Sequence, residues 1–122
     1  MPSWVPFVVL LVLAIAYIYM KRAGQVSPRE AQEYLRNGAL IIDVRSMNEF
    51  ESGHIIQAQN MPLDRVEMLV SSAVKDKSKV LLLHCSTGVR SNLAKKKLEA
   101  LGYKNVFNLG SYDRAGKIIT GR

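Results

Sequence analysis

The chain has 122 residues, 48% of them apolar, with 17 Lys and Arg against 10 Asp and Glu, a formal net charge of +7 and a single cysteine. One cysteine excludes an intramolecular disulfide framework and Cys-cluster metal sites such as zinc fingers. The basic excess favours small anions and an anionic lipid leaflet; with no interleaving of aromatic and basic residues it does not point to nucleic acid.

Charge is unevenly distributed. Residues 1–20 carry none, and every charged side chain lies in residues 21–122. From Trp4 to Met20 each residue but Pro6 is apolar or aromatic. As a helix this run is about 25 Å long, close to the roughly 30 Å of a hydrocarbon core. Trp4 at one end and Tyr17 and Tyr19 at the other suit the two membrane interfaces. No basic residue precedes the run and bulky Tyr17–Met20 closes it, unlike a cleaved signal peptide. Residues 1–22 are therefore expected to form a retained single-pass transmembrane anchor in a lipid bilayer. Lys21 and Arg22 place the remaining chain in the cytoplasm by the positive-inside rule, where an unpaired thiol stays reduced.

Residues 23–26 read as a linker, and 27–122 as one small α/β domain. Ser27-Pro28-Arg29-Glu30 is a capping box with proline at the first helical position, and the helix should stop at Asn37-Gly38. Leu40–Val44 is a short β-branched apolar run, expected as a buried strand. Ser46-Met47-Asn48-Glu49 is a second capping box, opening a helix that ends at Gly53. Met61-Pro62-Leu63 is extended, because proline disfavours helix in the residue before it. Asp64 is expected to cap a helix through about Ser72, followed by a solvated basic loop over Lys75–Lys79. Val80–His84 is a second buried strand, Cys85–Arg90 a loop, Ser91–Leu101 a helix closed by Gly102, and Asn105–Leu109 a third strand. This order implies a mostly parallel sheet covered on both faces.

The chemistry concentrates in Cys85-Ser86-Thr87-Gly88-Val89-Arg90. In a parallel α/β sheet the C-terminal strand edge is the usual ligand crevice. A loop opening a helix there turns backbone N–H groups inward and makes an anion site. Cys85 at its base would have its thiolate, the nucleophilic form, stabilised by those groups, the helix dipole and Arg90. Gly88 supplies the positive φ that a curled loop needs. Arg90 is a fixed, always-charged fork for an oxyanion. Ser91 opens the helix, and its hydroxyl is a candidate to reach the sulfur. Asp43 and Arg45 end a buried strand and are expected to brace neighbouring loops. His54 and His84 are expected to be structural, with the His84 side chain turned away from that of Cys85. Lys95–Lys97 are mostly solvated.

Asp43-Val44-Arg45, Glu49-Phe50, Gly53-His54-Ile55, Ala58, Asn60, Pro62 and Cys85–Arg90, in this order, resemble a rhodanese domain from about Ser27 to Gly110. The resemblance implies a doubly wound parallel sheet of five strands, here preceded by one transmembrane helix. It also implies a sulfurtransferase that carries sulfur as a persulfide on Cys85. A thiosulfate-like anion would be the donor, cyanide or a thiol the acceptor, and no metal or cofactor takes part. The six-residue loop argues against a phosphatase or arsenate reductase, whose loops have one residue more. A non-catalytic rhodanese-like module recruiting a membrane protein partner is the alternative. Departures from the family pattern are Gln57, where glycine is common, and Gly110–Arg114, where a glycine pair is common; no closing helix is assigned to 110–122.

Overall fold

A computed structural model describes residues 2–22 and 24–121. Ten elements follow one another: α1 (Val5–Arg22), α2 (Pro28–Arg36), β1 (Leu40–Asp43), α3 (Met47–Ser52), β2 (Gln59–Asn60), α4 (Val66–Ala73), β3 (Leu81–His84), α5 (Val89–Ala100), β4 (Val106–Gly110) and α6 (Tyr112–Thr120). The sheet is parallel in the order β2-β1-β3-β4.

The expected capping residues act as local start signals, fully paired only at α3. Ser27 Oγ accepts from the Glu30 N–H at the start of α2, and Ser46 and Glu49 cap each other's backbone at the start of α3. Helix α4 begins at Val66, and Arg65 rather than Asp64 stands at its cap, with no side-chain bond. Helix α6 has no counterpart in the sequence expectations; Ser111 caps it by accepting from the Arg114 N–H.

Side chains alternate across the strands and build two cores. Ile42, Val44, Leu81, Leu83 and Cys85 join Val66 and Val70 of α4 and Ala94 and Leu98 of α5 on one face. Ile41, Leu82 and Leu109 join Ala31 of α2 and Ala115 and Ile118 of α6 on the other. Ile42, Leu81, Leu82 and Leu83 have no exposed surface, and each contributes about 1.5–3 kcal/mol by burial.

Two expectations are corrected. The sheet has four strands among the described residues, not five. Where a further strand would lie beside β4, the chain makes one parallel bridge, Gln25 to Asn108, and one bond from the Val26 N–H to the Asn108 carbonyl at 2.9 Å. The Ser27 cap turns the chain into α2 immediately afterwards, leaving no length for a strand. Of the segment expected as a linker, Ala23 lies outside the described residues.

The transmembrane anchor is the second correction. No helix among the described residues is long and apolar enough to cross a membrane. Helix α1 has 18 residues and ends on Lys21 and Arg22. Its apolar part, Val5–Met20, rises only about 24 Å, against the roughly 30 Å of a hydrocarbon core. The single-pass topology and the cytoplasmic placement inferred from it fall together. The side chains of α1 from Pro6 to Tyr19 are exposed.

Candidate active site

Cys85 follows the last residue of β3, on the face covered by α4 and α5, and is fully buried. The chain then curls through Ser86 and Thr87, both exposed, and enters α5 at Gly88. The curl brings donors back over the sulfur. The Gly88 N–H reaches Cys85 Sγ at 3.0 Å and the Ser91 N–H at 3.4 Å, and Ser91 Oγ lies 3.4 Å away. Gly88 makes this possible with φ +101°; a Cβ there would lie 3.3 Å from the Gly110 Cα and 3.2 Å from Gln25 Nε2. The Val89 and Arg90 N–H groups are the first two of α5 and have no carbonyl four residues back within the helix. The cradle thus has a buried sulfur at its base and a helix N-terminus at its rim, an arrangement that favours negative charge.

Its back wall is a polar network. Asn108 of β4 is fully buried. It donates from Nδ2 to the Gly88 carbonyl (3.1 Å) and accepts at Oδ1 from the Gly110 N–H (2.8 Å) and from Ser91 Oγ (2.6 Å). The Cys85 N–H donates to the Gly110 carbonyl at 3.2 Å. Loop, β4 and the start of α5 therefore hold one another in register.

Arg90 does not stand as a free fork. Its Nη1 and Nη2 donate to the two carboxylate oxygens of Glu49 at 2.6 and 2.9 Å. The pair ties the first turn of α5 to α3. It lowers the Glu49 carboxyl to about 2, the Arg90 hydrogen bond being the largest cause, and raises the guanidinium in turn. Beside it a depression of about 350 Å³ is lined by Val44, Ser46, Leu63, Asp64, Arg90 and Lys97. Lys97, expected as solvated surface, also lies 3.7 Å from Glu67. Val89 is half exposed.

Asp43, Arg45 and His84 form a second cluster. Arg45 donates from Nε and Nη2 to the Asp43 carboxylate at 2.8–3.1 Å, from Nη2 to the Gly53 carbonyl at 2.8 Å, and lies 4.4 Å over the Tyr112 ring. The Asp43 hydrogen bond raises the guanidinium above its ordinary value. His84 points to the opposite face of the sheet from Cys85 and has Nδ1 3.3 Å from the Cys85 carbonyl. A carbonyl only accepts, so Nδ1 carries the proton and Nε2 is bare. Nε2 is buried without a hydrogen-bond partner, 3.7 Å from Asp43 Oδ2. Burial is the main cause that lowers His84 below the ordinary histidine value. No group of three or more His, Cys, Asp or Glu side chains able to hold a metal occurs among the described residues.

The structure therefore gathers Cys85, Gly88 and Ser91, turns Arg90 onto Glu49, and sets Asp43 and Arg45 in a brace. Sequence reasoning missed Asn108 and the second role of Glu49. A lone Asn in the apolar strand Val106–Leu109 was a signal for the first, since a buried amide needs partners. Glu49 was read only as a cap.

The family model for the rhodanese-like domain matches residues 27–114. The protein entitled "Uncharacterized protein YqhL" of Bacillus subtilis is 33% identical over 108 residues, 88% of this chain and 84% of that protein. Thiosulfate sulfurtransferase PspE of Escherichia coli is 36% identical over 69 residues, 57% of this chain and 66% of that protein. The human single-domain sulfurtransferase TSTD1 superposes with a TM-score of 0.66 at 28% identity, over 76% of this chain and 95% of that one. On the matched domain, the parallel sheet and the loop around Cys85, the chain belongs to the rhodanese-like family of sulfurtransferase domains.

Proposed function

We propose that the chain moves sulfane sulfur from thiosulfate, or a similar anionic donor, to a thiophilic acceptor through a persulfide on Cys85. One observation carries this reading: the buried Cys85 Sγ receives the Gly88 and Ser91 N–H groups at the N-terminus of α5. Those donors favour the thiolate, the nucleophilic form of cysteine. Thiolate Sγ attacks the outer sulfur of thiosulfate. The sulfur–sulfur bond of the donor breaks, and sulfite leaves with its electron pair. Cyanide or a thiolate then attacks the outer persulfide sulfur, and the Cys85 thiolate is released.

The outer sulfur bears the negative charge between the two steps, and the N–H groups opening α5 would stabilise it. The six-residue segment Cys85–Arg90, whose last two residues already open α5, suits one sulfur atom better than a tetrahedral phosphoryl group. The neighbouring depression offers an anionic donor two cations, Arg90 paired with Glu49 and Lys97 near Glu67, beside Asp64. Because Glu49 occupies both Nη groups of Arg90, the role of Arg90 is to lock the loop and supply charge.

The test is incubation of the full chain with thiosulfate, read by intact mass, then with cyanide, read as thiocyanate. One added sulfur on Cys85 and steady thiocyanate release are expected, and Cys85→Ser loses both. An unmodified mass with no turnover overturns the reading.

A further inference from the structure

We propose that Asn108 is a positioning residue that holds the Ser91 hydroxyl proton away from Cys85, so that Ser91 Oγ accepts from the resting thiol. The backbone N–H groups of Gly88 and Ser91, not the Ser91 hydroxyl, are then the donors to the thiolate. This rests on the reading of Cys85 as the sulfur carrier and adds what sets its readiness to ionise.

The backbone settles which way the Asn108 amide points. The Gly110 N–H lies 2.8 Å from Oδ1, which must accept; the Gly88 carbonyl lies 3.1 Å from Nδ2, which must donate. Flipping the amide would set a donor against a donor and an acceptor against an acceptor. Ser91 Oγ is 2.6 Å from Oδ1. Two oxygens at that distance need a proton between them, and an amide oxygen has none to give. The hydroxyl therefore spends its one proton on Asn108.

Its other acceptor gives the same answer. The Gly88 carbonyl lies 3.1 Å from Ser91 Oγ, yet it already accepts from Asn108 Nδ2 and from the Asn92 N–H at 3.2 Å. Both acceptors draw the proton away from Sγ, which sits 3.4 Å from Oγ. Turning the O–H onto Sγ would leave oxygen lone pairs facing each other at 2.6 Å. What Ser91 presents to sulfur is a lone pair, which suits S–H and opposes the thiolate. When Cys85 ionises, the thiol proton goes to solvent and that bond is lost.

The charged groups around the sulfur are Arg90 of α5, paired with Glu49 of α3, and behind the sheet Asp43, Arg45 and His84. Substituting Ser91 or Asn108 leaves all of them in place.

The sign of one substitution tests this. Iodoacetamide alkylation of the full chain, followed by intact mass across pH, reports the fraction ionised. Ser91→Ala should raise the rate at pH 6 relative to pH 9 by about two- to tenfold, the worth of one neutral hydrogen bond. Ser91→Thr, which keeps the hydroxyl, should follow the wild type. Asn108→Leu removes the nearer acceptor, at 2.6 Å, and leaves only the Gly88 carbonyl, at 3.1 Å, to compete with sulfur for the hydroxyl proton, so the same ratio should rise by less than in Ser91→Ala; adding Ser91→Ala to it should give the Ser91→Ala ratio. A fall or no change in Ser91→Ala overturns the proposal. If Ser91→Ala does not fold, as judged by far-UV circular dichroism, the absence of a rise in Asn108→Leu overturns it. Absence of thiocyanate from the wild type would remove the sulfurtransferase reading but would not move the alkylation sign, so the two failures are told apart.

Discussion

His84 and Cys85 are neighbours at the end of β3, both fully buried, and their surroundings differ completely. Strand alternation turns their side chains to opposite faces of the sheet, Cys85 into the core it shares with α4 and α5. Cys85 meets N–H groups converging from a curled loop and a helix start. His84 meets a finished ion pair, Asp43 with Arg45, and keeps one ring nitrogen bare. The first arrangement leaves donors for a charge yet to form; the second has its charges matched internally. Burial alone therefore does not separate reactive from structural residues, whereas the direction of the surrounding donors does.

The largest effect should come from breaking the brace. Asp43 is fully buried, and the Arg45 side chain is only 9% exposed. Asp43→Ala strands a buried guanidinium, a loss of about 3–5 kcal/mol. Urea unfolding should show that loss. A double substitution, Asp43→Leu with Arg45→Met, should recover most of it, because the uncompensated charge is gone. A loss below about 1 kcal/mol in Asp43→Ala would mean that the brace does not hold this end of the sheet.

Much of this architecture was legible in the sequence. Ser27 as a cap starts α2, the full capping box of Ser46 and Glu49 starts α3, and the apolar runs at Leu40–Val44 and Val80–His84 carry β1 and β3, because these signals are local. What escaped is non-local or short. Strand β2 is only Gln59–Asn60 and has no apolar run of its own; it exists through its pairing with β1. Helix α6 buries only Ala115 and Ile118, with Gly116 between them, too sparse a pattern to count. The apolar run at the N-terminus was read as near enough to a span's length, and α1 ends on Lys21 and Arg22 without reaching it. In the site, Cys85 stood out through its place between strand and helix. Asn108 did not, because its partner Gly88 is 20 residues away in sequence. Glu49 contacts Arg90 across 41 residues, and its local role as a cap hid that contact.

A smaller effect sharpens the contrast through pH. Burial holds folded His84 below the ordinary histidine value of 6.5. As pH falls through 6.5, the unfolded chain takes up a proton that the folded chain refuses. Stability is therefore full above pH 6.5 and declines below it, by at most about 1.4 kcal/mol per pH unit for one proton. Urea midpoints at pH 7.5, 6.5 and 5.5 should show this decline, and His84→Phe should flatten it. An equal slope in the variant would assign the proton to another group.

The smallest stability effect belongs to the cradle's own ion pair. The Glu49 and Arg90 side chains are 37% and 34% exposed, so solvent screening limits the pair to about 1 kcal/mol or less. Glu49→Gln isolates it, since the amide oxygen can still accept from the Ser46 N–H that the carboxylate caps at 3.1 Å. With the Glu49 carboxyl lowered from 4.5 to about 2, the pair's contribution is present above pH 4.5 and disappears as pH falls toward 2. The wild type and Glu49→Gln should differ slightly in melting temperature at pH 7 and converge near pH 2. The same substitution removes the charge that neutralises Arg90, so a screened positive field remains at the mouth of the cradle. On the sulfurtransferase reading, KM for thiosulfate should then fall about two- to threefold, while Tm falls too. A rise in KM would mean that Glu49 serves the site by aiming Arg90 rather than by balancing its charge.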